Sequence, residues 1–516
     1  MADLRVLMGL LFFPRGGSAQ VARYLAVALG EAGHRVSLVV GSLGVAGEET
    51  HAPTFFGAVE MEHLDYTAAV AEFENGASAV AAPVPMHPSF EDRGNVPDVV
   101  LAAVDPALSS HLASVWERPL AHAGAERADV FHLHHLTGQH DAAARRWPDT
   151  PVVAHLHGTE IKFVEAVAVR EAIATILGQT LATMPDAVAA GVIKAGVLDE
   201  AQREILLTTR WTQWRHGEFW VEHLRQQAAR ADHIVVVSPP DRVSAVSVLR
   251  AQPERVTDVP NGVDTDRFRP LHLGAAQRRG CFRRWLVEDP LGSDESGVPG
   301  SIAYGEADLD RLLGADGTTT VFVYVGRFTA AKRLSVLVEA FASARKQARD
   351  PMSLLVWGGH PGECEGEHPV TAARRVGTDG IYFAGWRGHE DLPEGLAACD
   401  ALVMASVNDS YPQTPLEAMA TGLPVIATLS GGFPSMVNLD AARPTGWLVA
   451  PDDVGALAGA LVDASDHRDE LAARGTAALA HARANLSWAG RVAGFEHAYE
   501  RAQDHRARTR LAGPGG

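Results

Sequence analysis

"NDSYPQTPLEAMATG", residues 408–422, decides how this chain is read. Thr414-Pro415-Leu416-Glu417 has the form of a capping box, with Thr at the N-cap, Pro at the first helical position and Glu at the third. On that reading Glu417 ties off a helix. A second acid, Asp409, lies eight residues upstream across a polar loop. Its presence opens another reading, in which the helix presents an acid to a ligand.

Hydrophobic runs surround the stretch. From residue 319 they read "TTVFVYVGR", "SLLVWGG", "GIYFAGW", "DALVMAS", "PVIAT" and "GWLVA", with helical patterns such as 333–348 between most of them. An earlier series starts with "LRVLMGLLFF", "AQVARYLAVALGEAGH" and "RVSLVVG", one βαβ unit, and continues through 128–136, 151–158, 231–238 and 255–262. β-branched runs alternating with helices imply parallel sheets covered on both faces. The expected architecture is α/β: two Rossmann-like domains hinged near Pro260–Asp264, with ligands at the carboxyl ends of the strands in a deep cleft between them. The expected boundaries are 1–262 for the first domain and 263–487 for the second. Residues 488–516 form a helix and tail crossing back to the first. Segments 44–97 and 160–228 read as insertions, the second largely helical, and 271–316 holds the loop "EDPLGSDESGVPGS".

Composition narrows the class. A chain of 516 residues favours two domains. Its charge, 45 − 63 = −18, disfavours nucleic acid and anionic membranes as main partners. The three cysteines are scattered and odd in number, which suits a reducing cytosol and gives no disulfide framework. "VLMGLLFF" is too short to span a bilayer, follows Asp3 and precedes no A-x-A site. It reads as a first buried strand rather than a signal peptide, and a cytoplasmic location follows as the expectation.

"GRFTAAKR" (326–333) puts Arg327 and Lys332 at a strand end before a helix, a good diphosphate clamp, or else two solvated surface cations. "FPRGGSA" (13–19) lacks the third glycine of a dinucleotide fingerprint, so a nicotinamide cofactor is disfavoured. "HLHHL" and "HLHG" crowd histidines at two strand tips. Zinc is the obvious alternative, but no cysteine or acid stands at a ligand spacing, and neutral hydrogen-bonding or buried structural histidines fit better. Trp211, Trp214, Phe219 and Trp220 are spaced to pack a helix on its core; a lip over an acceptor is the other reading.

Taken in order, the early "GG" loop, "HGTE", "PNGVD", "GRFTAAK", "DSYPQTPLEAMATGLPVIA", "GGFPSMV" and "TGWLV" resemble the retaining glycosyltransferases of family four, which have the GT-B fold. The matches run from about residue 5 to residue 500. "LEAMATGLPVIA" with an acid eight residues before its Glu is the family's hallmark. The resemblance implies that Glu417 binds the donor ribose and that Asp409 lies near the donor sugar. It implies that Arg327 and Lys332, beside Gly326, hold the diphosphate, and that Gly17 lies close to donor phosphate and acceptor. His157 would contact the transferred sugar, and "YFAGWR", with Trp386 and Arg387, would hold the base. Ser410, Tyr411, Pro412, Gln413 and Thr414 fall on the donor side. Gly16, Gly17, His134, His135 and His157 fall on the acceptor side. Arg327, Lys332, His157 and Asp409 would act in catalysis. Three departures touch the sugar pocket: Asp409 stands where Glu is usual, "SYP" where "GFG" is usual, and Ser435 where an acid is usual.

The resemblance further implies a front-face, retaining transfer from a UDP- or GDP-linked sugar. No metal or other cofactor is required, because the two cations take its place. The expected acceptor is a small soluble molecule: an aminocyclitol, an inositol derivative, or a small thiol or betaine, in keeping with specialised metabolism. The expected assembly is a monomer or homodimer. A GT-B phosphorylase, a sugar-nucleotide epimerase or an inactive nucleotide-sugar binding module are the competing readings.

Overall fold

The computed structural model describes residues 3–11, 17–57, 59–92, 98–314, 317–360, 364–377, 379–440 and 442–512. The chain divides into two compact units, Met1–Pro260 with Arg491–Gly516, and Asn261–Gly490. No helix among the described residues is long and apolar enough to cross a membrane.

The first unit is built on seven parallel strands: β1 (Arg5–Leu10), β2 (Arg35–Ser42), β3 (Met61–Asp65), β4 (Val130–His134), β5 (Val152–Leu156), β6 (His233–Val236) and β7 (Val256–Asp258). Their order is β3-β2-β1-β4-β5-β6-β7. Strands β4, β5 and β6 are buried along their whole length, which is why they read as continuous runs rather than alternating ones. The second unit repeats the plan with β8 (Thr320–Gly326), β9 (Met352–Gly358), β10 (Ile381–Gly385), β11 (Ala401–Val403), β12 (Val425–Thr428) and β13 (Gly446–Val449), in the order β10-β9-β8-β11-β12-β13. Both sheets are therefore doubly wound. In each, the chain starts at the middle, works to one edge, then returns and works to the other.

The helix Trp488–Ala512 begins beside Gly262, where an added Cβ would meet the Trp488 backbone at 2.7 Å. From Arg491 onward it belongs to the first unit, where Phe495 and Tyr499 are fully buried.

Two sequence expectations are corrected. Segment 44–97 is not wholly an insertion, because it supplies β3, paired along β2 from Leu38↔Met61 to Ser42↔Asp65. Its Met-Glu-His-Leu-Asp sequence is half exposed at the sheet edge, so it carries no apolar run to announce it. Segment 271–316 holds its expected loop between two helices, Ala275–Arg283 and Glu306–Leu313. The capping box does not form. The helix runs Gln413–Thr421 with Pro412 at its N-cap and no side-chain cap, so Thr414 is already inside the helix and Glu417 lies beyond the capping position.

The 160–228 segment is helical as expected, with helices at Thr159–Ile176, Met184–Ala189, Glu200–Thr208 and Gly217–Arg230. Trp211, Trp214 and Trp220 are buried in the core beneath them, and Phe163 stacks on Trp214 at 6.1 Å. They pack the insertion onto the sheet. Phe219 alone of the four aromatics is exposed.

Candidate functional site

In a doubly wound sheet, the loops leaving the two central strands diverge and open a crevice at their carboxyl ends. In the second unit those strands are β8 and β11. The chain leaves β8 through Gly326 and Arg327, and leaves β11 toward Asp409, so the switch point collects the residues that the sequence singles out. Gly326 pairs with Gly358 of β9, and an added Cβ on Gly358 would strike the Gly326 carbonyl oxygen. The buried Tyr324 hydroxyl donates to the Arg327 carbonyl at 2.7 Å. Burial, with the Asp409 charge adding to it, pushes that phenol well above its usual pKa, so it stays a neutral donor and pins the loop.

The two loops are tied together. Val407 N–H donates to the Ala331 carbonyl at 2.8 Å, and Lys332 Nζ donates to Asp409 Oδ2 at 2.7 Å with both side chains mostly buried. Asp409 is held from behind as well. Gly432 N–H donates to its carbonyl at 2.8 Å, and Gly431, at φ 57°, passes so close that a Cβ there would overlap the Asp409 carbonyl oxygen. Asn408, also left-handed at φ 56°, donates its N–H to Ser430 Oγ at 2.9 Å. The glycines of "SGGFPS" thus serve a close approach between two loops. Next along the chain, the Tyr411 carbonyl accepts from Asn261 Nδ2 at 3.0 Å, which links "PNGVD" to the hallmark stretch.

Glu417 is 3% exposed. Its Oε1 lies 2.9 Å from Nε2 of His389, and the His389 ring stands edge-on to Phe268 at 5.4 Å. His389 carries no role in the sequence reading; its signal is its place two residues beyond Arg387, just past the segment matched to base binding. Arg387 itself is committed inside the protein. Its guanidinium donates to Asp289 Oδ2 at 3.0 Å and to the Trp285 carbonyl at 2.9 Å, so it braces the 284–289 turn. Trp386 remains partly exposed, with its ring 5.7 Å from that of His360. Pro412, Gln413 and Thr414, at the start of the helix, are also partly exposed, whereas Tyr411 is buried.

The first unit's switch point lies between β1 and β4. Gly17 opens the helix Gly17–Glu31, and an added Cβ there would meet nothing within 4 Å among the described residues. Gly16 lies outside the described residues. His134 ends β4 with His135 just after it, and His157 follows β5. His134 Nδ1 and His157 Nε2 share a hydrogen bond of 2.9 Å, with the rings stacked at 5.1 Å. Burial, with neighbouring imidazoles adding to it, pushes both pKa values well below the usual range, so both rings are neutral near pH 7. His135 adopts the left-handed region at φ 61°, uncommon for a residue with a Cβ. Its Nδ1 lies 2.6 Å from Glu160 Oε1. Burial alone would raise the Glu160 pKa, but the His135 ring and the hydrogen bonds around it hold the carboxyl below its usual range. Glu160, the last residue of "HGTE", carries no role in the sequence reading.

Comparison with known proteins names the class. Residues 319–467 match the family model of group 1 glycosyl transferases. Residues 15–267 match the model of glycosyltransferase family four. The chain belongs to glycosyltransferase family four. Among curated relatives, a D-inositol 3-phosphate glycosyltransferase of Streptomyces scabiei is 30% identical over 289 residues, which is 55% of this chain and 57% of the relative's own length. The chain thus matches little more than half the length of such relatives. Among solved structures, sucrose-phosphate synthase from Thermosynechococcus elongatus has a TM-score of 0.59 at 17% identity, covering 97% of this chain and 99% of its own. HepE of Anabaena, solved with UDP and glucose, has a TM-score of 0.56 at 15% identity, covering 96% of this chain and 99% of its own. At such identities the likeness concerns the fold, and the fold is GT-B.

Proposed function

We propose that this protein transfers a sugar from a nucleotide diphosphate sugar to a small polyhydroxylated acceptor, with retention at the anomeric carbon. The observation that carries the reading is the second unit's switch point, where Arg327 and Lys332 leave β8 and Lys332 is held 2.7 Å from Asp409. When a glycosyl diphosphate breaks at the anomeric C–O bond, negative charge grows on the leaving oxygens. Preorganised cations aimed at them stabilise the transition state, usually the largest single catalytic contribution. The helix Gln413–Thr421 starts beside them without a side-chain cap, the condition in which a helix end takes an anionic oxygen. In this reading Lys332 exchanges its bond to Asp409 for the diphosphate, and Asp409 is released toward the sugar hydroxyls. Glu417, steadied by His389, accepts from the ribose. Two cations at the diphosphate remove the need for a metal in the transfer.

UDP is the proposed nucleotide, supported by its presence in the Anabaena structure of the same fold. The relatives named for D-inositol 3-phosphate support a cyclitol phosphate as the first acceptor to try. The neutral His157 ring and the His135–Glu160 pair at the first unit's switch point offer hydrogen bonds suited to such hydroxyls. The test is thermal stabilisation by UDP, GDP, ADP and dTDP, followed by turnover of the matching sugar nucleotide with and without inositol 3-phosphate. UDP should raise the melting temperature most, and the wild type should form a glycosylated product only with acceptor. Stabilisation by none of the four nucleotides would refute the donor assignment.

A further inference from the structure

One face of β4 and β5 carries an unusual density of imidazole. His132, His134 and His155 are each fully buried, and one ring nitrogen of each lies within 4.8 Å of those of the other two. The pairing register, which sets His134 opposite His155, brings them together, and Phe495 and Tyr499 of the helix Trp488–Ala512 close over them.

The hydrogen bonds in this cluster are incomplete in a telling way. His132 Nδ1 is paired with the Tyr499 hydroxyl at 2.7 Å, and His132 Nε2 with His155 Nδ1 at 3.0 Å. His134 Nδ1 is paired with His157 at 2.9 Å. His134 Nε2 and His155 Nε2 are both fully buried and have no hydrogen-bond partner among the described residues. Buried polar atoms almost always find a partner, and an unpaired one points to a water or an ion. Two such nitrogens on neighbouring strands, 4.8 Å apart by ring centroid, call for a shared one.

We propose that His132, His134 and His155 form a structural site for one divalent transition-metal ion, of which zinc is the expected occupant. A set of neutral imidazoles suits zinc, copper or nickel and has no oxygen to offer magnesium or calcium. Tyr499 on His132 and His157 on His134 occupy the Nδ1 atoms, the outer arrangement by which ligating histidines are usually oriented. Zinc–nitrogen bonds of about 2.0–2.1 Å bring the ligating nitrogens to about 3.3 Å from one another. The rings must therefore draw inward, and His132 exchanges its bond to His155 for the metal. The ion would clamp two adjacent strands and, through Tyr499, the closing helix.

The test uses the full chain. Protein is incubated with zinc chloride, freed of loose ion by gel filtration, and its metal content measured; a parallel sample takes cobalt(II) for visible absorption. The expected result is about one equivalent of zinc retained, a rise in melting temperature that a chelator reverses, and visible absorption bands from protein-bound cobalt that free cobalt(II) in buffer does not show. His134→Leu with His155→Leu should lose the metal at least tenfold, whereas His497→Ala, on the exposed face of the same helix, should keep it. The cobalt spectrum of the wild type decides the matter even where the double variant fails to fold. Failure of the wild type to retain zinc, absence of the cobalt bands, or full retention by a folded double variant would each overturn the proposal. Because the readout is metal content, it is independent of whether the chain transfers a sugar.

Discussion

Glu417 Oε1 faces Nε2 of His389 at 2.9 Å, across 28 residues of sequence, and makes no bond to the start of its own helix. A buried acid paired in this way is held for something other than capping. Glu417→Gln keeps a hydrogen-bonding group of the same shape, so stability should change by less than about 1 kcal/mol. Donor nucleotide affinity should fall roughly tenfold, the loss of one charge-assisted bond. Calorimetric titration with UDP beside a urea melt separates the two. Unchanged affinity would return Glu417 to a purely structural role.

At the neighbouring clamp, Lys332→Ala and Arg327→Ala should each lower kcat/KM by about 10²-fold or more, since each removes a cation from the leaving diphosphate. Asp409→Asn should lose less in donor binding than in kcat, because the amide still fills the space while the sugar loses a charged partner. Steady-state kinetics with melting curves as a control would check this. A wild-type rate in both cation variants would contradict the diphosphate assignment.

Gly431 and the Asp409 carbonyl leave no room for a Cβ, and Gly431 sits at φ 57°. Gly431→Ala should therefore destabilise the second unit by about 1–3 kcal/mol and push Asp409 off Lys332. The same alanine at Gly17, which meets nothing within 4 Å among the described residues, should leave stability nearly unchanged. Paired denaturant titrations would show the contrast.

His135 and Glu160 make a second buried pair, at 2.6 Å. Glu160→Gln should raise KM for the acceptor several-fold with little change in donor affinity, because the ring of His135 loses the carboxylate that orients it. An equal loss of both affinities would mean that the pair supports the first unit as a whole.

Acid should weaken the first unit. Burial lowers the His140 pKa to about 4 against the opposing charges of Asp141 and Glu160. Burial, with Arg501, His497, Arg255 and His505, lowers that of His233 to about 4. Both folded values lie below the usual 6.5, so between about pH 4 and 6.5 the unfolded chain binds more protons than the folded one. Stability is therefore full above that window and falls as pH drops through it, at about 1.4 kcal/mol per pH unit for each residue. Urea midpoints at pH 7.5, 6 and 5 should fall in that order; a flat series would count against neutral burial.

Much of this was legible beforehand because parallel strands buried on both faces write themselves as apolar runs. "TTVFVYVGR" and "SLLVWGG" could hardly be anything else, and the loops leaving them carried Arg327, Lys332 and Asp409. What stayed hidden was decided by pairing at a distance. β3 is recognised by its partner β2 and not by its own mixed sequence. Thr414-Pro415-Leu416-Glu417 satisfies every local rule for a capping box, yet His389 claims the carboxylate and the helix starts earlier. Arg387 looked like a ligand contact because nothing local showed that the 284–289 turn would take its guanidinium. The orphaned nitrogens of His134 and His155 arise only when β4 lies beside β5.

The bond between His132 and Tyr499 spans 367 residues. A ribosome adding about 5–20 residues per second takes roughly 20 to 70 s to make that distance. For that time the emerging sheet of the first unit carries a row of imidazoles with no roof, wet and free to take protons. The second unit, whose residues are contiguous, is made and can fold within the same interval. The unit begun first is thus completed last, and a stalled or clipped chain lacking the stretch after Arg491 would present a finished second unit beside an unsealed first one. Quality control that senses exposed apolar surface would find that flaw in the half of the molecule synthesised earliest.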